Sequence, residues 1–281
     1  LRMTGVTKAF AGVPALRGAS IDVRPGEVHG LVGENGAGKS TLIKILAGIY
    51  ERDGGTVDIG GTDVGRLTPA DAHAAGIRFV HQELQLVPDM TVAENVWLGN
   101  EQSAGGVLRG RAMKARVTEV LHDVLGIRLS PTRLVRDLGP AERKLVQVAR
   151  ALVDDDTRLI VFDEPTAPLA SAEAEQLLGI IGRLRERGIS SLYISHYLGE
   201  VTRICDRVTI LRGGVDVGRI EAVGPDSGRE MVRLMIGREI DDLYPPRRPV
   251  VSTEPVLRAR GLRVGAVVHG VDLDARPGEI L

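Results

Sequence analysis

The sequence has almost no cysteine and few aromatic rings. Cys205 stands alone among 281 residues, which excludes an internal disulfide framework and fits a reducing compartment. Aromatic residues are only 3%, so aliphatic side chains must build the core. Six scattered histidines and one cysteine give no zinc-ligand spacing. No apolar run approaches the ~18 residues of a membrane span. Nothing near Leu1 reads as a signal peptide. Net charge is −1, without the one-signed field of a nucleic-acid binder, so no nucleic acid is expected as a partner. Lysine is scarce, at positions 8, 39, 44, 114 and 144. Arginine far outnumbers it, and with abundant Ala, Gly and Val this suggests a GC-rich bacterial genome.

What is present is an ordinary globular balance, 43% hydrophobic and 26% charged, enough for a core of one large or two small domains. Glycine is unusually common, 35 residues, so many loops must turn tightly or approach something closely. Short apolar stretches at Leu1–Phe10, Ala19–Val23 and Val28–Val32 read as strands. A glycine-rich loop follows, then a helix whose Leu42, Ile45, Leu46 and Ile49 form one buried stripe. Thr68-Pro69 starts a helix, and Thr91 with Glu94 and Ser227 with Glu230 read as capping boxes. Residues 91–136 contain no convincing strand and read as a helical insert. Leu145, Val148, Ala149 and Leu152 form a helical stripe, as do Leu177, Leu178, Ile181 and Leu184. Buried strands are expected at Leu159–Phe162, Leu192–Ile194 and Val208–Leu211. Strands alternating with helices imply α/β architecture with a mostly parallel sheet covered on both faces.

Composition changes from Leu243 to Pro255, where Pro245, Pro246, Pro249 and Pro255 make a stiff linker. Beyond it, Ala275-Arg276-Pro277-Gly278-Glu279-Ile280 echoes Val23-Arg24-Pro25-Gly26-Glu27-Val28, and Gly270–Asp274 echoes Gly18–Asp22. This repeat predicts a second copy whose own glycine loop would begin just past Leu281. Together with a start at Leu1 rather than methionine, it reads as part of a longer chain.

Gly33-Glu34-Asn35-Gly36-Ala37-Gly38-Lys39-Ser40 fits a phosphate-cradling loop. Its glycines let backbone N–H groups surround phosphate oxygens, and the helix N-terminus adds a positive dipole end. Lys39 is expected to reach the β and γ phosphates, Ser40 to ligate Mg²⁺ and Thr41 to lie near the α phosphate. The strand Leu159–Phe162 ends in Asp163-Glu164, two carboxylates at the rim of the sheet. Asp163 is expected to hold Mg²⁺, usually through water, and Glu164 to polarise the attacking water as general base.

The loop at 33–40, Asp163-Glu164-Pro165-Thr166 and Ile194-Ser195-His196 together resemble the ATP-binding cassette ATPases. Val80-His81-Gln82-Glu83-Leu84-Gln85-Leu86-Val87-Pro88, followed by Thr91–Asn95, resembles their simple-sugar import subgroup, in which one chain carries two fused cassettes. The resemblance implies a P-loop NTPase (RecA-like) core, an N-terminal antiparallel β subdomain and a helical subdomain at about 90–155. It implies a first cassette over 1–241, a linker over 242–255 and the start of a second over 256–281. Phe10 is similar to the aromatic that stacks on adenine, Gln82 to the glutamine that contacts Mg²⁺ and water, and His196 to the switch histidine at the γ phosphate. ATP hydrolysis energising sugar import is then expected, at the cytoplasmic face of a bacterial inner membrane. The implied partners are a transmembrane permease, a second cassette and, indirectly, an extracytoplasmic sugar-binding protein.

The sequence departs from the family at the signature that grips the nucleotide of the opposite cassette. Leu138-Gly139-Pro140-Ala141-Glu142 lacks a serine hydroxyl, puts a proline where an N–H should donate, adds a Cβ and brings a negative charge. Ala170 likewise replaces the aspartate that often stands there. Two alternatives stay open: a soluble cassette ATPase acting in DNA repair or on ribosomes, and a nucleotide-binding scaffold that does not turn over.

Overall fold

The computed structural model describes residues 1–83, 85–167, 169–237, 254–265 and 267–279. The chain divides into two compact units, Leu1–Gly237 and Arg238–Leu281. The expected boundary at 241/242 and residues 242–253 of the expected linker lie outside the described residues, as do Leu84 and Ile280.

The first unit contains two main sheets and one two-stranded hairpin among its described residues. The smaller is antiparallel in its pairings, ordered β2 (Val13–Asp22), β1 (Arg2–Phe10), β4 (Gly54–Ile59) and β5 (Thr62–Asp63). The larger is ordered β12 (Val215–Ile220), β11 (Arg207–Arg212), β3 (Val28–Gly33), β10 (Ser190–Ile194), β9 (Leu159–Asp163) and β6 (Ile77–Val80). All its neighbours run parallel except β12 against β11.

Alternation along the central strands fills a core on each face. Ile160, Phe162 and Tyr193 pack into one cluster, while Val161, Leu192 and Ile194 pack into the other. Each such side chain contributes about 1.5–3 kcal/mol on burial. This two-sided burial explains why the strands read as continuous apolar runs. The first cluster includes residues of α3 (Val92–Trp97), α5 (Pro140–Leu152), α6 (Ser171–Glu186) and α8 (Ser227–Ile236). The second includes residues of the small sheet and α1 (Lys39–Leu46). The remaining α-helices among the described residues are α2 (Pro69–Ala74), α4 (Gly110–Glu119) and α7 (Leu198–Ile204), with a π-helical turn at Val120–Val124 and a 3-10 turn at Val135–Asp137.

A partly buried ionic knot ties the small sheet to the large one. The Arg207 guanidinium donates to Asp22 at 3.0 Å, Glu27 at 3.2 Å and Glu221 at 2.9 Å. Burial pushes the Glu27 carboxyl upward, but hydrogen bonds from His29 and the Arg24 N–H, with nearby positive charge, outweigh it and hold it below its ordinary value.

Three local expectations fail. Helix α1 stops at Leu46, and Gly48 turns the chain at φ 69°, so Ile49 leaves the buried stripe and is 55% exposed. The insert contains a small hairpin of β7 (Ser103–Ala104) and β8 (Val107–Leu108), too short for periodicity to reveal. Ser227 does not cap α8 in a box with Glu230. Its hydroxyl instead accepts the Gly224 N–H at 2.9 Å. The box at Thr91 does form, and Thr68, expected as a helix start, makes one as well with Asp71.

The second unit, over its described residues, is the antiparallel hairpin β13 (Leu257–Val264) and β14 (Val268–Ala275). Among the described residues, no helix is long and apolar enough to cross a membrane.

Candidate functional site

The glycine loop joins β3 to α1 at the C-terminal edge of the parallel sheet. Gly33 cannot carry a side chain, because a Cβ would meet the Leu211 carbonyl oxygen at 2.3 Å. Gly38 caps α1 at φ 105°, and a Cβ there would meet Leu16 at 2.7 Å. The backbone is thus pressed against its neighbours and shaped as a cradle. The Lys39 ammonium folds across it, donating to the carbonyls of Gly33 at 2.6 Å and Glu34 at 3.0 Å. Burial lowers the Lys39 pKa, against the opposing pull of Glu164 and Asp163.

A cavity of about 440 Å³ opens beside the loop, lined by residues 35–41, Phe10, Ala15, Gln82, Asp163 and Glu164. Most of the expected residues therefore meet in one place. Gly33 and Glu34 stand just outside the lining and hold Lys39. His196 is outside too, but its Nδ1 lies 3.3 Å from Glu164 Oε1.

Asp163 ends β9, and burial raises its carboxyl pKa, with Glu164 adding to the rise. Glu164 takes a left-handed φ of 45°, a conformation that costs a non-glycine residue about 1–3 kcal/mol and must be held by its surroundings. One hold is visible: its N–H donates to the Ile194 carbonyl at 2.9 Å. The turn sets Glu164 beside the end of β10, from which His196 follows.

Phe10 stays 40% exposed rather than joining the core, propped edge-on by Tyr50 at a centroid distance of 5.1 Å. Gln82 is exposed, and its backbone is held from α5. Lys144, fully buried, donates to the carbonyls of His81 at 2.8 Å and Gln82 at 3.3 Å. Gln147 donates to the Glu83 carbonyl at 2.8 Å. Burial pushes the Lys144 ammonium down to about 8. Ala15, Lys144 and Gln147 were not singled out from the sequence. Only Lys144 carried a signal, a charged residue four before the buried Val148 on a helix.

At the N-terminus of α5, Pro140 takes the first helical position and Glu142 folds back. Its carboxylate accepts the Gly139 N–H at 3.0 Å and binds Arg133 at 2.7 Å. A helix start that is open in principle to a phosphate is closed by the chain's own anion.

A second cavity, about 560 Å³, lies at the opposite, N-terminal ends of the strands, where Ile77, Leu159 and Ser190 begin them. It holds none of the expected site residues.

The P-loop, the strand-end acids and the small antiparallel sheet define the class, an ATP-binding cassette. Residues 16–167 match the ABC transporter family, to which the chain belongs. More particularly, the chain is 44% identical over 279 residues to the ribose import ATP-binding protein RbsA of Cereibacter sphaeroides, covering 99% of this chain and 55% of that protein. It is 47% identical over 285 residues to ribose import ATP-binding protein RbsA 1 of Rubrobacter xylanophilus, covering 100% and 55%. The chain thus spans about half the length of these curated relatives. Among solved structures, an ATP-binding cassette of an ABC transporter in its ADP conformation superposes with a TM-score of 0.71 at 28% identity, covering 84% of this chain and 98% of that one.

Proposed function

We propose that residues 1–237 bind ATP with Mg²⁺ in the 440 Å³ cavity and hydrolyse it. The carrying observation is the convergence of the glycine loop, Lys39, Asp163 and Glu164 on that cavity. Backbone N–H groups of residues 35–41 surround the phosphates, and Lys39 exchanges its loop carbonyls for phosphate oxygens. Phe10 offers its exposed ring to the adenine. The Ser40 hydroxyl, the Asp163 carboxylate and the Gln82 amide oxygen are hard donors that suit Mg²⁺. Among the described residues there is no cluster of three or more His, Cys, Asp or Glu that could hold a metal. A Mg²⁺ held by Ser40, Asp163 and Gln82 would supply positive charge to offset that of the phosphates. Glu164 accepts the proton of the attacking water, and His196, 3.3 Å away, braces it and faces the γ phosphate.

The work done is import of a simple sugar through a membrane permease, with the protein bound peripherally at the inner face of the membrane. The names of the RbsA relatives support this reading. An extracytoplasmic binding protein delivers the sugar, and a second cassette, beginning in residues 256–281, completes the pair. The matching register of β1–β2 and β13–β14 supports that duplication. The closed N-terminus of α5 supports an asymmetric pair. The site built on Lys39 and Glu164 turns over, while the site that depends on residues 138–142 is weak or silent.

The test is ATPase of the full-length protein with its permease and binding protein across a monosaccharide panel. One sugar should stimulate turnover, and Glu164→Gln should remove it. Mutant-sensitive turnover with no sugar response would leave an ATPase but refute the importer.

A further inference from the structure

Between the loops that carry Glu164 and His196 lies a carboxylate with no assigned role, Glu200 in α7. Its Oε2 accepts three hydroxyl hydrogen bonds, from Tyr193 at 2.6 Å, Thr166 at 2.9 Å and Ser195 at 3.1 Å. All three donors are buried. Thr166 lies two residues past Glu164, and Ser195 immediately precedes His196. The Ser195 hydroxyl also accepts the Tyr197 N–H at 3.0 Å, so the His196 backbone is bracketed on both sides. An acid in the first turn of a helix is commonly explained by the dipole. That explanation does not account for three hydroxyls drawn from a strand and two loops onto one oxygen. Hydrogen bonds to an ionised acceptor are about twice as strong as neutral ones, and removing the acceptor leaves three buried donors to find partners.

We infer that Glu200 is a positioning residue for hydrolysis, tying the Thr166 and Ser195 loops to one carboxylate oxygen and so fixing the approach of His196 to Glu164. The inference rests on Glu164 being the base and His196 its partner. Neither loop needs to unfold for the tie to matter, because a shift of about 1 Å at a reacting group can cost on the order of a hundredfold in rate.

The experiment measures turnover and nucleotide affinity of the full-length protein, with its permease, for Glu200→Gln, Ser195→Ala and the double variant. Affinity is read with a fluorescent ATP analogue. Glu200→Gln should lower kcat on the order of tenfold or more while affinity stays within about twofold. The double variant should lose less than the two single losses combined, because both changes weaken the Ser195–Glu200 tie, while Ser195→Ala also frees the Tyr197 N–H. Ser195→Ala is a small change, and it should lower kcat even where Glu200→Gln fails to fold. Unchanged kcat in Ser195→Ala and Glu200→Gln overturns the inference, as does an additive double variant. An equal loss of affinity in both also overturns it, since that marks a folding defect. Glu164→Gln serves as reference. If it retains turnover, the base assignment fails and takes this inference with it. If it abolishes turnover while Glu200→Gln does not slow it, only Glu200 is refuted.

Discussion

In the hairpin β1–β2, Met3 faces Ile21 and Val6 faces Ala19; in β13–β14, Ala259 faces Leu273 and Leu262 faces Val271. Both hairpins slip register between those pairs. Both place a glycine at φ 59° in the slip, Gly5 and Gly261, and satisfy its N–H from the opposite strand, through Ser20 and Asp272. Both end in Arg-Pro-Gly-Glu turns closed by the glutamate on the arginine N–H. The surroundings differ. Val6, Ala19 and Ile21 are buried, whereas Leu262 is 50%, Val271 46% and Leu273 39% exposed. Asp22 is held by Arg207 and Arg219 from other strands, whereas Asp274 is held by Arg258 and Arg260 of its own hairpin. Register is therefore written locally, by a bulge glycine and its cap. Burial is not local and depends on which strands and helices cover the hairpin. The tips differ too. β1 runs on to Phe10, while β13 closes at Val264 against Val268.

The largest expected effect tests how far the likeness reaches into chemistry. Glu164→Gln in the full-length protein should lower steady-state turnover on the order of a hundredfold or more, the usual worth of a general base. A protein that kept half its rate would have an equally competent second site, and the two copies would be equivalent after all.

Next in size is the ionic knot. Arg207→Met leaves Asp22 and Glu27 without their shared guanidinium, 19% and 8% exposed. It should cost about 3 kcal/mol in urea melts. Arg260→Met in the 281-residue chain, where it cuts a tie within an exposed hairpin, should leave the melt unchanged. The pH dependence sharpens the contrast. Asp22 and Glu27 titrate below their ordinary values in the folded chain, so the stability they bring is in place above the ordinary carboxylate range and is lost as pH falls from there through their lowered folded values. Arg207→Met should flatten that acid limb, and an unchanged limb would remove the knot from the account of stability.

Much of this was legible in the sequence where chemistry demands fixed spacing or burial demands periodicity. Phosphate binding needs glycines, a lysine and a hydroxyl in one short loop, and a carboxylate pair at a strand end has few bland uses, so residues 33–41, Asp163 and Glu164 could be singled out together. The stripes at 145–152 and 177–184 follow from one-sided burial of α5 and α6. Ile49 misled because three correct stripe positions extend naturally to a fourth, while Gly48 had already turned the chain. The two-residue strands β7 and β8 fall below any period. Lys144 and Gln147 reach back more than 60 positions to the segment of Gln82, and Glu200 reaches 34 to Thr166. No local pattern encodes contacts at such range. Ala15 lines the cavity with a methyl group, which has no signature.

A smaller effect is expected at the hairpin tip. Base–aromatic stacking is worth about 1–3 kcal/mol, so Phe10→Ala should weaken ATP binding about fivefold or more at one site. A site built on the proposed second cassette should be untouched, since Phe10 belongs to the cavity formed by the first. Two-site titration with a fluorescent nucleotide reads both constants. Equal weakening at both would mean that Phe10 acts through the dimer rather than on one base.

The smallest expected effect, none at all, is the most discriminating for asymmetry. The combined changes Gly139→Ser, Ala141→Gly and Glu142→Gln bring the signature back toward the family pattern. They also remove the carboxylate that now caps α5 and pairs with Arg133. Pro140 still withholds one N–H, so phosphate binding there should remain weak. If turnover belongs to the site built on Lys39 and Glu164, its signature partner is the second copy, and the triple variant should run at the parental rate. Mutating the second copy's signature should stop it. A triple variant that turns over clearly faster would show that the capped helix was a brake on a working site, and the two halves would then differ in regulation rather than in competence.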